Sequence, residues 1–373
     1  MRIGIDAREM GRKPTGVGRY LRNILHYWVQ DFPNHQYYLY YSDEIEGGDF
    51  LNSPVLVKRH IPPGFLSYNI YWQQIQLPSQ VKKDRIDVFF SPSYSLPLFL
   101  KRKKALTIHD VSFEAHPQWF RPKERFSRLW LTRRSAHKAD LIFTVSQFSK
   151  SEIMKYYGIA EEKIAVVPNG VDEHFQPIRD KQRLKEFRQQ HNITGRTVLY
   201  SGSIFNRRRL PLLMEAFRRL SREHQDLQLL IAGENRTYPY VDLVALAQKL
   251  GISQNVRFFG FVDEDSLLLL YNVADIFAYL SDYEGFGIPL LEALACGTPV
   301  ISSANSALKE IFSSTAWLIP KNETDEIYYA ISQILNNPEL SSEIVKKGKQ
   351  LLQQFSYEKT AREILRHLET LVD

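Results

Sequence analysis

Short apolar runs recur along the chain, and most are followed by a turn residue and then by helical spacing. In the first half they are Ile3-Gly4-Ile5, Tyr37 to Tyr41, Ile86 to Phe90, Ala105 to Ile108, Leu141 to Val145 and Ile164 to Val167. Continuous apolar runs, rather than alternation, are the mark of strands buried on both faces of a parallel sheet. The stretch between the first two, Tyr20 to Trp28, is amphipathic with helical spacing. Ser146 stands where it can cap a helix beginning near Phe148. Strand-then-helix alternation of this kind predicts a doubly wound α/β unit.

From about Gln176 to Gly195 the chain turns polar and charged, with one helical stretch at Arg183 to Gln190, and this reads as a connection between domains. The alternation then restarts with Thr197 to Gly202, Leu227 to Gly233, Val256 to Gly260, Ile276 to Leu280 and Thr298 to Ser302. Two such halves predict a ligand at the carboxyl ends of the strands, in a cleft between them. A last amphipathic helix is predicted over Tyr357 to Val372, with Ala361, Ile364, Leu365, Leu368 and Leu371 on one face. At 373 residues, two domains is also the expectation from length.

Composition narrows the class. The single cysteine, Cys296, rules out a disulfide framework or a thiolate metal site within the chain, and its apolar setting marks a core residue. Met1 to Asp6 reads as a buried strand rather than a signal peptide. Leu267 to Leu280, the longest apolar stretch, is too short to span a bilayer. A cytoplasmic protein is therefore expected. A net charge of +6 favours anionic partners, and the sequence holds no nucleic-acid-binding signature.

The densest candidate chemistry is Ser281-Asp282-Tyr283-Glu284-Gly285-Phe286-Gly287-Ile288-Pro289-Leu290-Leu291-Glu292. Pro289 suits the first turn of a helix and Gly297 the position just past its end. Glu284 then lies on the entering loop and Glu292 one turn inside, on the side of Ile288. Gly285 and Gly287 permit close backbone approach, and a helix N-terminus offers amides to an anion. Together they suit a polyol that carries phosphate. A second candidate is Ser201-Gly202-Ser203-Ile204-Phe205-Asn206-Arg207-Arg208-Arg209, a strand, a glycine turn and three arginines entering a helix. Fixed cations there would stabilise a departing diphosphate, and arginine grips it with a bidentate fork. Two weaker signals lie in the first half. Thr15-Gly16-Val17-Gly18-Arg19-Tyr20 is a glycine loop opening a helix, and His109 closes a strand ahead of Asp110, which reads as a loop-orienting or capping residue.

The Glu284–Glu292 segment resembles the carboxylate-pair motif of glycosyltransferase family 4, the retaining transferases of GT-B fold. The resemblance extends over essentially the whole chain. It implies two Rossmann-like parallel-sheet domains facing a central cleft. The N-terminal, acceptor-side domain would be 1–175, joined by a C-terminal helix (356–373) that crosses back, and 176–355 would bind the nucleotide sugar. By resemblance, Arg207 and Arg208 hold the diphosphate, Glu284 faces the sugar, Glu292 holds the ribose and His109 supports the reacting face. Arg208 stands where the family has lysine, and Ser203 where many relatives have arginine. The donor-binding set implied is Gly16, Val17, Gly18, Ser203, Val262, Gly285, Phe286, Gly287, Ile288, Leu291 and Glu292. No metal and no cofactor are expected: a nucleotide diphosphate sugar is the substrate.

Gly4-Ile5-Asp6-Ala7-Arg8 with the Thr15–Tyr20 loop resembles the mannosyltransferase-like branch of surface polysaccharide synthesis. The expected reaction is transfer of a hexose, mannose from GDP-mannose foremost, to a glycan or lipid-linked acceptor. UDP-glucose or UDP-N-acetylglucosamine donors stand next, then a nucleotide-sugar epimerase, then a non-catalytic sugar-nucleotide-binding protein. Asp263-Glu264-Asp265 looks like a metal-binding acidic triplet but precedes an apolar helical run, so it reads as a helix N-terminus. Lys101-Arg102-Lys103-Lys104 and Arg121, Lys123, Arg125, Arg128, Arg133, Arg134 and Lys138, interleaved with Trp119, Phe120, Phe126 and Trp130, suit contact with an anionic membrane surface. A solvated face over a core helix explains them equally. Gly64 to Trp72 could supply aromatic platforms for an acceptor, or simply pack inside.

Overall fold

The computed structural model describes residues 1–11, 16–63 and 69–373, with the side chains of Asn69, Lys123, Glu124 and Ser127 outside the description. The chain divides into two compact units. One comprises Met1–Pro117, Pro122–Gly170 and Ser356–Asp373; the other comprises Gln118–Arg121 and Val171–Phe355.

The first unit holds β1 (Arg2–Asp6), β2 (Gln36–Tyr41), β3 (Leu56–His60), β4 (Val88–Ser91), β5 (Lys103–Thr107), β6 (Leu141–Thr144) and β7 (Ile164–Val166). They form one parallel sheet in the order β3-β2-β1-β4-β5-β6-β7. β3 escapes the sequence pattern because it is an edge strand: past Leu56 its residues are only partly covered, so it carries Lys58 and Arg59. Each face of the sheet has its own core. On one, Tyr20, Leu21, Ile24 and Trp28 of the helix Gly16–Asp31 meet Ile364, Leu365 and Leu368 of the last helix, Tyr357–Val372. Trp28 Nε1 donates to Ala361 O at 2.7 Å, fixing the two helices together. On the other, Trp72, Leu77 and Val81 pack with Leu96, Ala136 and Ile153.

The second unit holds β8 (Thr197–Ser201), β9 (Gln228–Ala232), β10 (Val256–Gly260), β11 (Ile276–Tyr279), β12 (Val300–Ser303) and β13 (Trp317–Ile319). These are parallel throughout, in the order β10-β9-β8-β11-β12-β13. The order reverses at β8, so the turns after β8 and β11 open side by side, the arrangement that makes room for a ligand in an open α/β sheet.

The polar stretch around 176–195 is no free linker. Its helix, Lys181–Gln190, is capped by Asp180 and folds onto the second unit. Ile178 N donates to Asn272 Oδ1 (2.7 Å) and Arg188 Nη1 to Val273 O (3.2 Å).

Candidate functional site

β8 and β11 are neighbours, so the turns that follow them come together. The first begins at Gly202, whose positive φ of 114° suits glycine. It continues through a single 3-10 turn, Asn206–Arg208, and the helix itself starts only at Leu210. The three arginines thus lead into a helix, as the sequence suggests. Arg207 and Arg208 precede it, and Arg209 is its N-cap in left-handed conformation. Pro211 stands in the first turn of that helix, where its missing N–H costs nothing.

The second turn, after β11, folds back over the first. Asp282 N donates to Arg207 O at 2.9 Å. Asp282 Oδ2 pairs with Arg209 at 2.5 Å. Between them lies a buried ion cluster. Glu284 Oε1 accepts from Ser281 Oγ at 2.7 Å and from Arg207 Nε at 3.3 Å, and lies 2.7 Å from Arg208 Nη1. Arg208 is 8% exposed, with its guanidinium 4.2 Å above the Tyr279 ring. Close as Arg208 is to Glu284, its Nη1 has no aligned hydrogen bond, and neither has its Nε. Burial works against its charge, but Glu284, Tyr279 and Tyr200 outweigh that and hold its pKa above the ordinary value. Burial also pushes the Tyr200 phenol up to about 12, Arg208 opposing it.

The helix Ile288–Ala295 begins behind this cluster at Gly287 (φ 115°), with Pro289 in its first turn and Gly297 just past its end at φ 84°. A Cβ at Gly287 would lie 2.8 Å from Leu308 Cδ2 and 3.0 Å from Phe312. Gly285 and Leu291 are buried, and Ile288 is partly covered. The Phe286 ring packs edge-on against Phe355. Glu292 is 2% exposed and sits apart from the arginines: Tyr271 Oη donates to its Oε2 at 2.9 Å, and Ser201 Oγ lies 2.7 Å from the same phenol. Ser203, half-buried, accepts the Tyr200 hydroxyl at its carbonyl (3.1 Å). Val262 is half-buried just beyond β10, next to Phe261, which is 50% exposed. Cys296 is buried, and burial raises its pKa, as a core thiol requires.

Asp263 caps the helix Glu264–Val273, its carboxylate accepting from Ser266 N at 2.7 Å, and those hydrogen bonds lower its pKa. The acidic triplet is a helix start. Among the described residues, no group of His, Cys, Asp or Glu is arranged to hold a metal ion.

In the first unit, Gly16, Val17 and Gly18 form the opening turn of a helix rather than a loop before it. Thr15 lies outside the described residues, as do positions 64–68 of the aromatic stretch. His109 follows β5. Its Nε2 lies 2.9 Å from Pro92 O, and since a carbonyl only accepts, that nitrogen carries the proton. Its backbone carbonyl accepts from Ser149 Oγ (3.0 Å), and the Tyr20 ring meets it edge-on at 5.0 Å. Burial lowers the His109 pKa, with the Pro92 hydrogen bond and Asp110 opposing. Asp110 turns inward to accept from Ser112 N (2.8 Å), an orienting role.

The roles of four residues of the second-unit site went unread in the sequence: Tyr279 and Ser281 around the ion cluster, and Tyr271 and Ser201 behind Glu292. A tyrosine or serine at or just past a strand end, or a tyrosine inside a helix, looks like any other core residue. Only the neighbouring strand shows what it faces.

A twin parallel-sheet architecture with such a site is that of a GT-B glycosyltransferase. Over 99% of both chains it matches Anabaena Alr3699/HepE in complex with UDP and glucose, with a TM-score of 0.78 at 18% identity. Sucrose-phosphate synthase from Thermosynechococcus elongatus matches 100% of this chain and 99% of that one, with a TM-score of 0.81 at 20% identity. Residues 14–175 match the family model described as Glycosyltransferase Family 4, and residues 182–351 match that of glycosyl transferases group 1. The chain belongs to glycosyltransferase family 4. O-antigen chain mannosyltransferase B of Escherichia coli is 29% identical over 272 residues, 73% of this chain and 71% of that protein. Serotype-specific mannosyltransferase WbdA, also of Escherichia coli, is 26% identical over 60% of this chain, which spans only 28% of WbdA.

Proposed function

We propose that this glycosyltransferase moves a hexose, mannose from GDP-mannose, to a glycan or lipid-linked acceptor, with retention of configuration and without a metal. The observation that carries the reading is Arg208: a buried guanidinium whose Nε and Nη1 lack aligned partners. Two arginines face one carboxylate, leaving one unit of positive charge in a site nearly closed to water. A nucleoside diphosphate supplies the missing anion and acceptors. Relatives named as mannosyltransferases support the choice of sugar.

As the bond from the anomeric carbon to the diphosphate oxygen breaks, that oxygen gains about one negative charge. Arg207 and Arg208 stabilise it, more in the transition state than in the ground state. The acceptor oxygen bonds the same face of the anomeric carbon, and its proton passes to the departing phosphate oxygen. Glu284 holds the arginines in place and faces the sugar. Glu292, braced by Tyr271, takes the ribose hydroxyls. The amide groups from Gly285 to Ile288, with Leu291 and Val262, complete the donor set, and Ser203 replaces a cation that many relatives have. On the first unit, Gly16, Val17 and Gly18 serve the donor phosphates. His109, neutral with its proton on Nε2, offers Nδ1 to a sugar hydroxyl.

The test is turnover across GDP- and UDP-sugars, with the anomeric configuration of the product read by NMR. GDP-mannose should be consumed, and Arg208→Ala should lower kcat by about two to three orders of magnitude, the loss of one charged oxyanion contact. Neither binding nor turnover of any GDP- or UDP-sugar would defeat the reading. UDP-sugar turnover alone would move the donor assignment.

A further inference from the structure

Three crossing segments cover one face of the first sheet: the helical stretch 69–83, the turn between β4 and β5, and the helix Pro122–Lys138. Their inward residues, among them Trp72, Leu96 and Ala136, share one core. Their backbones are tied edge to edge. Gln74 spans from Leu96 O (3.0 Å) to Leu98 N (2.8 Å). Leu96 N donates to Ser135 Oγ and Lys104 N to Asp140 Oδ2, both at 2.9 Å. The turn is therefore held to the helical stretch at Gln74 and to the helix at Ser135, and all three segments lie on the same side of the sheet.

These segments expose large apolar side chains. Phe99 is 80% exposed, Phe126 72%, Ile75 55% and Trp130 49%. Leaving large apolar side chains of one face in water is unusual for a soluble monomer and marks a contact surface. The charge around them says what kind. In sequence, 96–104 and 122–138 carry ten Lys or Arg against a single acid, Glu124. Lys101, Arg102, Arg134 and Lys138 are exposed, with the Arg134 guanidinium 5.4 Å from the Trp130 ring. Other members of the run are engaged locally: Arg125, half-buried, donates to Phe113 O, and Arg133, though exposed, donates to Tyr156 O. These segments thus expose cations and large aromatics together. A protein partner would have to bury those cations opposite its own acids. An anionic bilayer accepts both at once, the aromatics at headgroup depth and the cations on lipid phosphates.

We propose that this face of the first unit docks on an anionic lipid surface, with Phe99, Phe126 and Trp130 entering the headgroup layer. It goes beyond the reaction proposed above and does not depend on it, since its readout is binding. The full-length chain is mixed with phosphatidylglycerol–phosphatidylcholine vesicles or with phosphatidylcholine vesicles and sedimented. Recovery with the anionic vesicles and little with the neutral ones is expected, falling as salt rises. Lys101→Gln with Arg102→Gln should weaken partitioning roughly thirtyfold, from about 1 kcal/mol for each lost cation. Phe99→Ser, Phe126→Ser and Trp130→Ser together should abolish recovery while circular dichroism stays unchanged, because these side chains are exposed. Equal recovery on neutral vesicles overturns the proposal. So does full retention by the triple serine variant, and so does capture by soluble heparin in place of vesicles, which would mark a polyanion site.

Discussion

Arg208 is a full cation shielded from water, and its hydrogen-bonding capacity is only partly used. Glu284 is what makes it tolerable in the free protein. Removing one partner of a buried ion pair costs about 3–5 kcal/mol, because the other charge is left uncompensated. Glu284→Gln should therefore lower the melting temperature markedly, and a nucleoside diphosphate should raise it more in the variant than in the native protein. Equal ligand-induced shifts would show that the diphosphate does not occupy the place facing Glu284. His109 gives a pH prediction. Burial lowers its pKa below the ordinary value of about 6.5. The unfolded chain therefore binds its proton more readily. The stability it contributes is full above about pH 6.5 and is lost as pH falls through the folded value. Its proposed role needs the same neutral form, so kcat/KM should fall on that acid limb, and His109→Asn should remove that limb from the profile. A limb that persists in the variant would assign the titration elsewhere.

The two turns after β8 and β11 act as one element. Asp282 holds the Arg207 carbonyl and Arg209, while Ser281 holds Glu284. The arginine turn is thus built by residues about 75 positions away in sequence. Gly287 decides where the second turn ends and its helix begins. At φ 115°, with Leu308 and Phe312 already against it, a methyl group has no room. Gly287→Ala should cost about 1–3 kcal/mol from backbone strain and overpacking. Because it displaces the Glu284 loop, it should also weaken nucleotide binding, measurable by calorimetry. Unchanged affinity would separate the loop from the site. At this scale the sequence was legible where a cap or breaker acts locally. Ser146, Asp263, Pro289 and Gly297 mark helix ends that the structure has. At Arg207–Arg209 it gave the order of turn and helix but not the 3-10 turn that carries Arg207 and Arg208. It was silent on β3, a partly exposed edge strand, and on β13, which is only three residues long.

At the scale of the whole molecule, the last helix belongs with the first unit. Its Ile364, Leu365 and Leu368 are fully buried against the helix Gly16–Asp31. Ending the chain at Phe355 would strip that core and leave the Trp28 indole without its acceptor at Ala361. The first sheet should lose its cooperative unfolding transition while the second keeps one, visible as loss of one of two calorimetric peaks. A truncated protein that retains both would mean the helix is dispensable.

The sequence by itself determined the alternation of strands and helices, the two-part plan and the positions of both arginines and both glutamates. Each follows from local chemistry: apolar runs must be buried, caps and prolines act within a turn, and charged residue types restrict what they can bind. Tertiary structure alone decided which of these groups meet. β8 lies against β11 only because parallel pairing crosses over, and that pairing sets Arg208 on Tyr279 and beside Glu284, while Glu292 is braced by Tyr271. Charge compensation in a buried site acts between residues close in space, whatever their separation along the chain, so no linear pattern carries it.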